Sequence, residues 1–202
     1  MVTNDGPGLR ERSKARRRRR ILHTALRLFA ERGYERTTIA DIAEAAEVSP
    51  RTVTGYFPSK LDFITEWPAS REQRIIELYR ENPDVEFIDL VDMWWHDLRD
   101  HVDHDEAALT RAMALANPGV VAMAEVEVAR RTAGTSITLD DPDRDDLFQA
   151  AGRAAIKGIN QIFLRGVAEN RMTDELHQTL LHMIRTIADH TNIGHGSFQL
   201  DR

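Results

Sequence analysis

Apolar residues recur three and four positions apart along most of the chain, the spacing that gathers them on one face of an α-helix. Ile21, Leu22, Ala25, Leu28 and Phe29 form such a stripe and predict a first helix from Ala15 to Arg32, with Gly33 just past its end. Two short helices follow in the stretch TTIADIAEAAEVSPRTVTGYFPSK, Thr37 to Lys60. Thr38 caps the first, and Ile39, Ile42 and Ala43 share its inner face. Ala45 and Ala46 are small enough for a second helix to cross nearby, Glu47 sits in the turn, and Val48 plugs it. Ser49 caps the second short helix and Pro50 opens it, at the one helical position where a missing N–H costs nothing. Val53 and Phe57 point inward, Pro58 stops the helix, and Ser59 caps a fourth that starts at Lys60.

Beyond Lys60 the pattern stays helical. Trp67-Pro68 predicts a kink or break, because proline removes a hydrogen bond and disfavours helical geometry at the residue before it. Helices are then predicted at 69–81, 85–102, 105–116, 120–131, 144–170 and 173–190, separated by the turns Asn82-Pro83-Asp84 and Asn117-Pro118-Gly119 and a loop at 132–143. No strand pattern or internal repeat is visible. The fold expected is all-α: an N-terminal three-helix helix-turn-helix domain and a larger C-terminal helical domain. The expected divisions are a disordered basic arm at 1–14, the helix-turn-helix domain at 15–66, the helical domain at 67–191 and a flexible tail at 192–202.

Charge sharpens this division. Residues 1–60 carry 13 basic and 7 acidic side chains, and the remainder carry 14 and 26, so a net charge of −6 conceals a basic head on an acidic body. The segment RERSKARRRRR at 10–20 holds eight of the basic residues, and Arg16, Arg17 and Arg18 are candidates for phosphate or minor-groove contact. Without cysteine, disulfides, thiolate nucleophiles and Cys-based zinc sites are excluded. No nucleotide-binding glycine loop, HExxH or serine nucleophile elbow is present, so no enzyme and no cofactor is expected. No apolar run has the length of a membrane span, and a cytoplasmic protein without membrane partners is expected.

The outer face of the second short helix carries donors, small residues and an aromatic hydroxyl, and no carboxylate, as an element laid against phosphates and base edges requires. The candidate DNA-binding set is Arg16, Arg17, Arg18, Thr38, Ser49, Pro50, Arg51, Thr52, Thr54, Gly55, Tyr56 and Lys60. Of these, Arg51, Thr52, Thr54 and Gly55 would face bases, while Thr38, Tyr56 and Lys60 would hold phosphates. ILHTALRLFAERGY at 21–34, TTIADIAEAAEVS at 37–49 and RTVTGYFPSKLDF at 51–63 resemble the DNA-binding domain of the tetracycline-repressor (TetR) family. Residues 9–63 further resemble the actinobacterial-type branch with an acyl-CoA-like ligand-binding domain. Gly55 departs from the larger side chain many relatives carry there. The resemblance implies a dimeric, ligand-responsive repressor that leaves a palindromic operator when a small apolar molecule binds. A helical small-molecule or metal sensor with little operator specificity is the alternative.

The resemblance also implies that the last two long helices form the dimer interface, and a palindromic site requires two readers. Their apolar faces supply Ala151, Ala155, Ile159, Ile162, Leu176, Leu180, Ile184 and Ile187 as candidates. For the effector, Trp67, Trp94, Trp95, Met113, Met123 and Phe163 are the candidate lining; Trp94 and Trp95 lie about 100° apart on a helix, so one of the two is expected to face it. His96, His101 and His104 stand among aspartates, but they do not share one helical face, and no metal is expected there. Asp141, Asp143 and Asp145 alternate like a calcium loop, but Asp146 and Gly152 occupy the positions that need Gly and Glu.

Overall fold

The computed structural model describes residues 8–83, 85–132, 137–139, 158–159, 161–166, 169, 174–191 and 198–200. Seven helices come first: α1 (Leu9–Arg32), α2 (Ile39–Ala45), α3 (Pro50–Tyr56), α4 (Lys60–Glu81), α5 (Phe87–His101), α6 (His104–Ala116) and α7 (Pro118–Thr132). A further helical run at 161–166 precedes α8 (Asp174–Thr191). Two three-residue strands, β1 (Ile137–Leu139) and β2 (Phe198–Leu200), pair antiparallel, Ile137 opposite Leu200. They leave the fold class all-α but place order within the expected loop at 132–143 and the expected tail at 192–202. At three residues each they are too short for periodicity to register.

The chain divides into two compact units. The head comprises the chain up to Thr65 together with Leu109–Ala124, and the body comprises Glu66–Ala108 and the chain from Glu125 onward. In the head, α1 buries Ile21, Leu22, Ala25, Leu28 and Phe29 as the stripe predicts. It begins at Leu9, so residues 9–14 are helical and the expectation of a disordered arm to residue 14 is corrected. Arg, Lys, Ala and Glu are strong helix formers and nothing in 9–20 breaks a helix, so a packed helix propagates through a charged segment that solvent screens. Gly33 closes the helix at φ 89, where its N–H reaches the Phe29 carbonyl at 3.0 Å.

The other boundary that differs is in α4, which runs through Pro68 without a break. Trp67, Ile75, Ile76 and Tyr79 along this helix are buried in the body's core. At about 1.5–3 kcal/mol per large side chain buried, they outweigh the roughly 3 kcal/mol that an interior proline costs. The body's core joins them to Leu90, Val91, Trp94, Trp95 and Leu98 of α5, and to Phe163, Leu164 and Leu181. Across it, Arg74 donates to Asp97 at 2.7 Å, and the Trp94 indole N–H donates to the Arg71 carbonyl at 3.2 Å.

Candidate nucleic-acid interface

The helix-turn-helix is built from reciprocal caps. The Thr38 hydroxyl accepts from the Asp41 N–H at 3.1 Å, while Asp41 Oδ2 accepts from the Thr38 N–H at 2.7 Å and from its hydroxyl at 2.6 Å. These bonds hold the Asp41 carboxyl below its usual range. At the end of α2 the Glu47 N–H reaches the Glu44 carbonyl at 3.1 Å and the Val48 N–H reaches that of Ala43 at 2.9 Å. This is a Schellman closure with Glu47, at φ 54, in the left-handed position. A side chain other than glycine there costs roughly 1–2 kcal/mol. Ser49 then caps α3, its hydroxyl accepting from the Thr52 N–H at 3.1 Å, with Pro50 in the first turn.

Beneath α3 lies an aromatic floor. Val53 and Phe57 are fully buried. The Phe57 ring stacks on Phe63 at 4.3 Å, Phe63 meets Phe29 at 6.0 Å, and Phe29 meets Tyr34 at 5.0 Å. Such a floor fixes the rotation of α3 and leaves Arg51, Thr54 and Gly55 exposed outside, with Ser49 and Pro50 at its start. Arg51 has no ion-pair partner among the described residues and stands free. Gly55 is a separate matter: a Cβ there meets nothing within 4 Å, and its φ is not left-handed. Nothing among the described residues therefore requires glycine, which in a helix costs roughly 0.5–1 kcal/mol relative to alanine.

Several expected contacts are committed within the head. Thr38 spends its hydroxyl proton on Asp41. Lys60 donates its ammonium to the Tyr34 carbonyl at 2.6 Å and sits 4.3 Å over the Tyr34 ring, so it is a strut between α4 and the turn after α1. Arg18 lies 4.6 Å over Phe57, part of the floor. Tyr56 and Thr52 are half-buried, and the Thr52 hydroxyl pairs with Ser49 at 2.8 Å. Arg16 and Arg17 are exposed on α1 without ion-pair partners among the described residues.

The residue that sequence reading missed is Asn117. Its Oδ1 accepts from the Tyr34 N–H at 2.8 Å, and its Nδ2 donates to the Phe29 and Met113 carbonyls, each at 2.9 Å. The side chain completes the turn after α1 from more than eighty residues away. Read locally, Asn117-Pro118-Gly119 is only a break, and no local signal reveals the partner.

In the body, Trp67, Trp94, Trp95 and Phe163 converge in one core, with Trp95 edge-on to Phe163 at 5.8 Å. Both Trp94 and Trp95 are buried, so α5 is covered on two sides. Met113 is corrected: it lies in the core of the head beside Phe29 and Phe63, because residues 109–124 belong with that unit. Met123 is corrected as well, being half-exposed. Within the core, the Trp67 indole N–H and Arg71 Nε are buried donors with no acceptor among the described residues, and the Arg71 guanidinium lies 4.6 Å over the Trp67 ring. Burial lowers the Arg71 pKa, against the pull of Glu106 and Asp97.

Among the candidate dimer residues, Ile159 is a core residue of the single chain, 2% exposed, and is corrected on that ground. Ile162 and Leu176 are partly buried against the same core. Ala151 and Ala155, and the side chains of Leu180, Ile184 and Ile187, lie outside the described residues, as does the acidic run 141–146. No single helix among the described residues is long and apolar enough to cross a membrane.

Comparison with known proteins agrees with this geometry in the head. The family described as bacterial regulatory proteins, tetR family, matches residues 21–66. The chain is similar to the HTH-type transcriptional regulator TcmR of Streptomyces glaucescens, 52% identical over 58 residues, 29% of this chain and 26% of that protein. It is 44% identical over 54 residues to the HTH-type transcriptional regulator LuxR of Vibrio harveyi, 27% of this chain and 26% of that protein. The matched region thus spans about a quarter of the length of these curated relatives. Among solved structures, a transcriptional regulator from Aquifex aeolicus VF5 is 20% identical, with 85% of this chain and 99% of that chain covered and a TM-score of 0.48. The capped turn, the buried floor of α3 and the match to the family described as bacterial regulatory proteins, tetR family, meet in the same residues, 21–66.

Proposed function

We propose that the chain is a DNA-binding transcriptional regulator, with no enzymatic activity of its own, that acts as a dimer and leaves its operator when the body takes up an apolar effector. The observation that carries the DNA-binding reading is the outer face of α3: free Arg51, exposed Thr54 and Gly55, and no carboxylate, over a floor that fixes its rotation. Gly55 fits this reading, since a helix position left bare without internal need admits close approach of another backbone. Arg16 and Arg17 supply sequence-independent phosphate contacts from α1. Thr38 and Lys60 serve by holding the turn rather than the phosphate. Two readers spaced for successive major grooves require a dimer, for which Ile162 and Leu176 remain candidate contributors. In the body, Trp67, Trp94, Trp95 and Phe163 supply an apolar surround, and the acceptor-less Trp67 N–H and Arg71 Nε favour an effector that also carries an acceptor oxygen.

The test compares operator with random DNA. Arg51→Ala is expected to lose roughly 1–3 kcal/mol on the operator and little on random sequence. Arg16→Ala and Arg17→Ala should weaken both alike, and each contact removed should flatten the slope of log K against log salt by about 0.9. Equal losses on both DNAs for Arg51→Ala would reduce that residue to a phosphate contact and remove the reading of α3 as the base-reading element.

A further inference from the structure

The histidines of the body do not gather as their sequence order suggests. His101 and His104 are exposed at the end of α5 and the start of α6, where the His101 Nδ1–H donates to the Asp97 carbonyl at 3.0 Å. His96 meets instead a histidine from the far end of the chain. His177, in the first turns of α8, lies edge to face with His96 at 4.9 Å, and between them stands Asp92, one helical turn before His96 on α5.

We propose that Asp92, His96 and His177 bind a divalent transition-metal cation of the Zn2+ or Co2+ kind, joining α8 to α5. One ligand atom from each residue lies within 4.8 Å of the other two. His177 Nε2 is 2.9 Å from Asp92 Oδ1, and His96 Nε2 is 3.8 Å from the same oxygen. Bonds of about 2.0–2.2 Å in a tetrahedral site put ligand atoms on the order of 3.4 Å apart, so closing on an ion needs only small side-chain rotations. His96 and Asp92 are partly exposed and free to make them, and they leave the ion a path from solvent.

The independent observation is the state of His177. It is 2% exposed, and its Nε2 is a buried nitrogen with no hydrogen-bond partner among the described residues, although a carboxylate oxygen is 2.9 Å away. Close approach without hydrogen-bond geometry is the relation that two ligands of one ion have. The ring is already oriented, stacked 5.2 Å from Trp95 and within 5° of parallel. Two imidazole nitrogens and one carboxylate oxygen suit borderline cations and disfavour Mg2+ or Ca2+, which take oxygen ligands. Arg99 is the group that must give way. Its Nη2 donates to His96 Nδ1 at 3.2 Å, whereas a ring ligating through Nε2 carries its proton on Nδ1. The same guanidinium already holds Asp174 at 3.1 Å, a contact that can keep it when it releases His96.

The proposal stands apart from how the head reads DNA, and its experiment uses no DNA. Untagged full-length protein, stripped with a chelator, is titrated with Co2+ and with Zn2+ while visible absorption, tryptophan emission and the thermal midpoint are followed. One ion per chain is expected to bind saturably, alter the Trp95 emission through His177, and raise the midpoint. His96→Ala changes a partly exposed ring and should leave the circular dichroism unchanged while weakening binding by more than about a hundredfold; Asp92→Asn should weaken it too, and His101→Ala should not. The proposal is overturned if wild-type protein shows no saturable Co2+ or Zn2+ binding, if binding survives both His96→Ala and Asp92→Asn unchanged, or if Mg2+ displaces the ion at comparable concentration.

Discussion

In the head, the polar pairs that set the helices are three residues apart: Thr38 with Asp41, Ser49 with Thr52, Ser59 with Asp62. In the body, the corresponding bonds cross long stretches of chain: Arg74 to Asp97 and Trp94 to Arg71 over 23 residues, Arg99 to Asp174 over 75. Both units are helical and both bury aromatic rings. They differ in where the information sits. A capping pair is written into a short string and forms in whatever chain carries it, since the reach of a hydroxyl or carboxylate to a nearby N–H is set by the backbone alone. A pair spanning 75 residues exists only once the helices have packed. The head can therefore carry its function as a motif, while the body's chemistry emerges with its fold.

If the two cores are as separate as their contacts indicate, they should be breakable one at a time. Phe57→Ala removes the ring that stacks on Phe63 beneath α3 and should cost about 3–5 kcal/mol. All three tryptophans lie in the body. The expected result is a lowered helix-melting step by circular dichroism with the tryptophan-emission midpoint nearly unmoved. A common shift in both signals would show one cooperative unit and dissolve the contrast.

Asn117→Ala sharpens the comparison from the other side, because Asn117 makes the side-chain hydrogen bonds of longest sequence reach among the described residues of the head. The change strands the Tyr34 N–H and takes one donor from each of the Phe29 and Met113 carbonyls, and an unsatisfied buried group costs about 1–3 kcal/mol. Head stability and operator affinity should both fall, though the residue lies far outside the matched stretch 21–66. Chemical denaturation of the variant, with shift assays on the folded fraction, separates the two losses. An unchanged head would mean that its turn is as local as the rest.

The smallest effect is electrostatic and confined to the body. The Arg74 side chain, donating to Asp97, holds the Asp97 carboxyl below its ordinary 3.8. A carboxyl depressed in the folded state contributes stability above its unfolded pKa and loses it as pH falls through the folded value, so the contribution should shrink progressively as pH falls below about 4. With Arg74 partly exposed, the expected size is under about 1 kcal/mol. Acid titration of the body's melting midpoint by tryptophan emission should show a steeper fall below pH 4 in the wild type than in Asp97→Asn. Parallel curves would remove the pair from the account of what holds the body.

The sequence by itself determined the helical class, the caps at Thr38, Ser49 and Ser59, the inward Val53 and Phe57, and the outward face of α3, because all of these follow from periodicity and from backbone reach within one turn. Where it erred, local rules met tertiary competition. The proline rule predicted a break at Trp67, but packing of Trp67, Ile75, Ile76 and Tyr79 kept α4 continuous. The charge run predicted a loose arm to residue 14, but a packed helix propagated through it. Only the tertiary structure decided that Met113 serves the head, that Asn117 closes a turn made by Phe29 and Tyr34, and that His96 stands beside His177 rather than His101. Each of those depends on which helices pack together, a choice made by the summed burial of many apolar side chains and recorded at no single position of the chain.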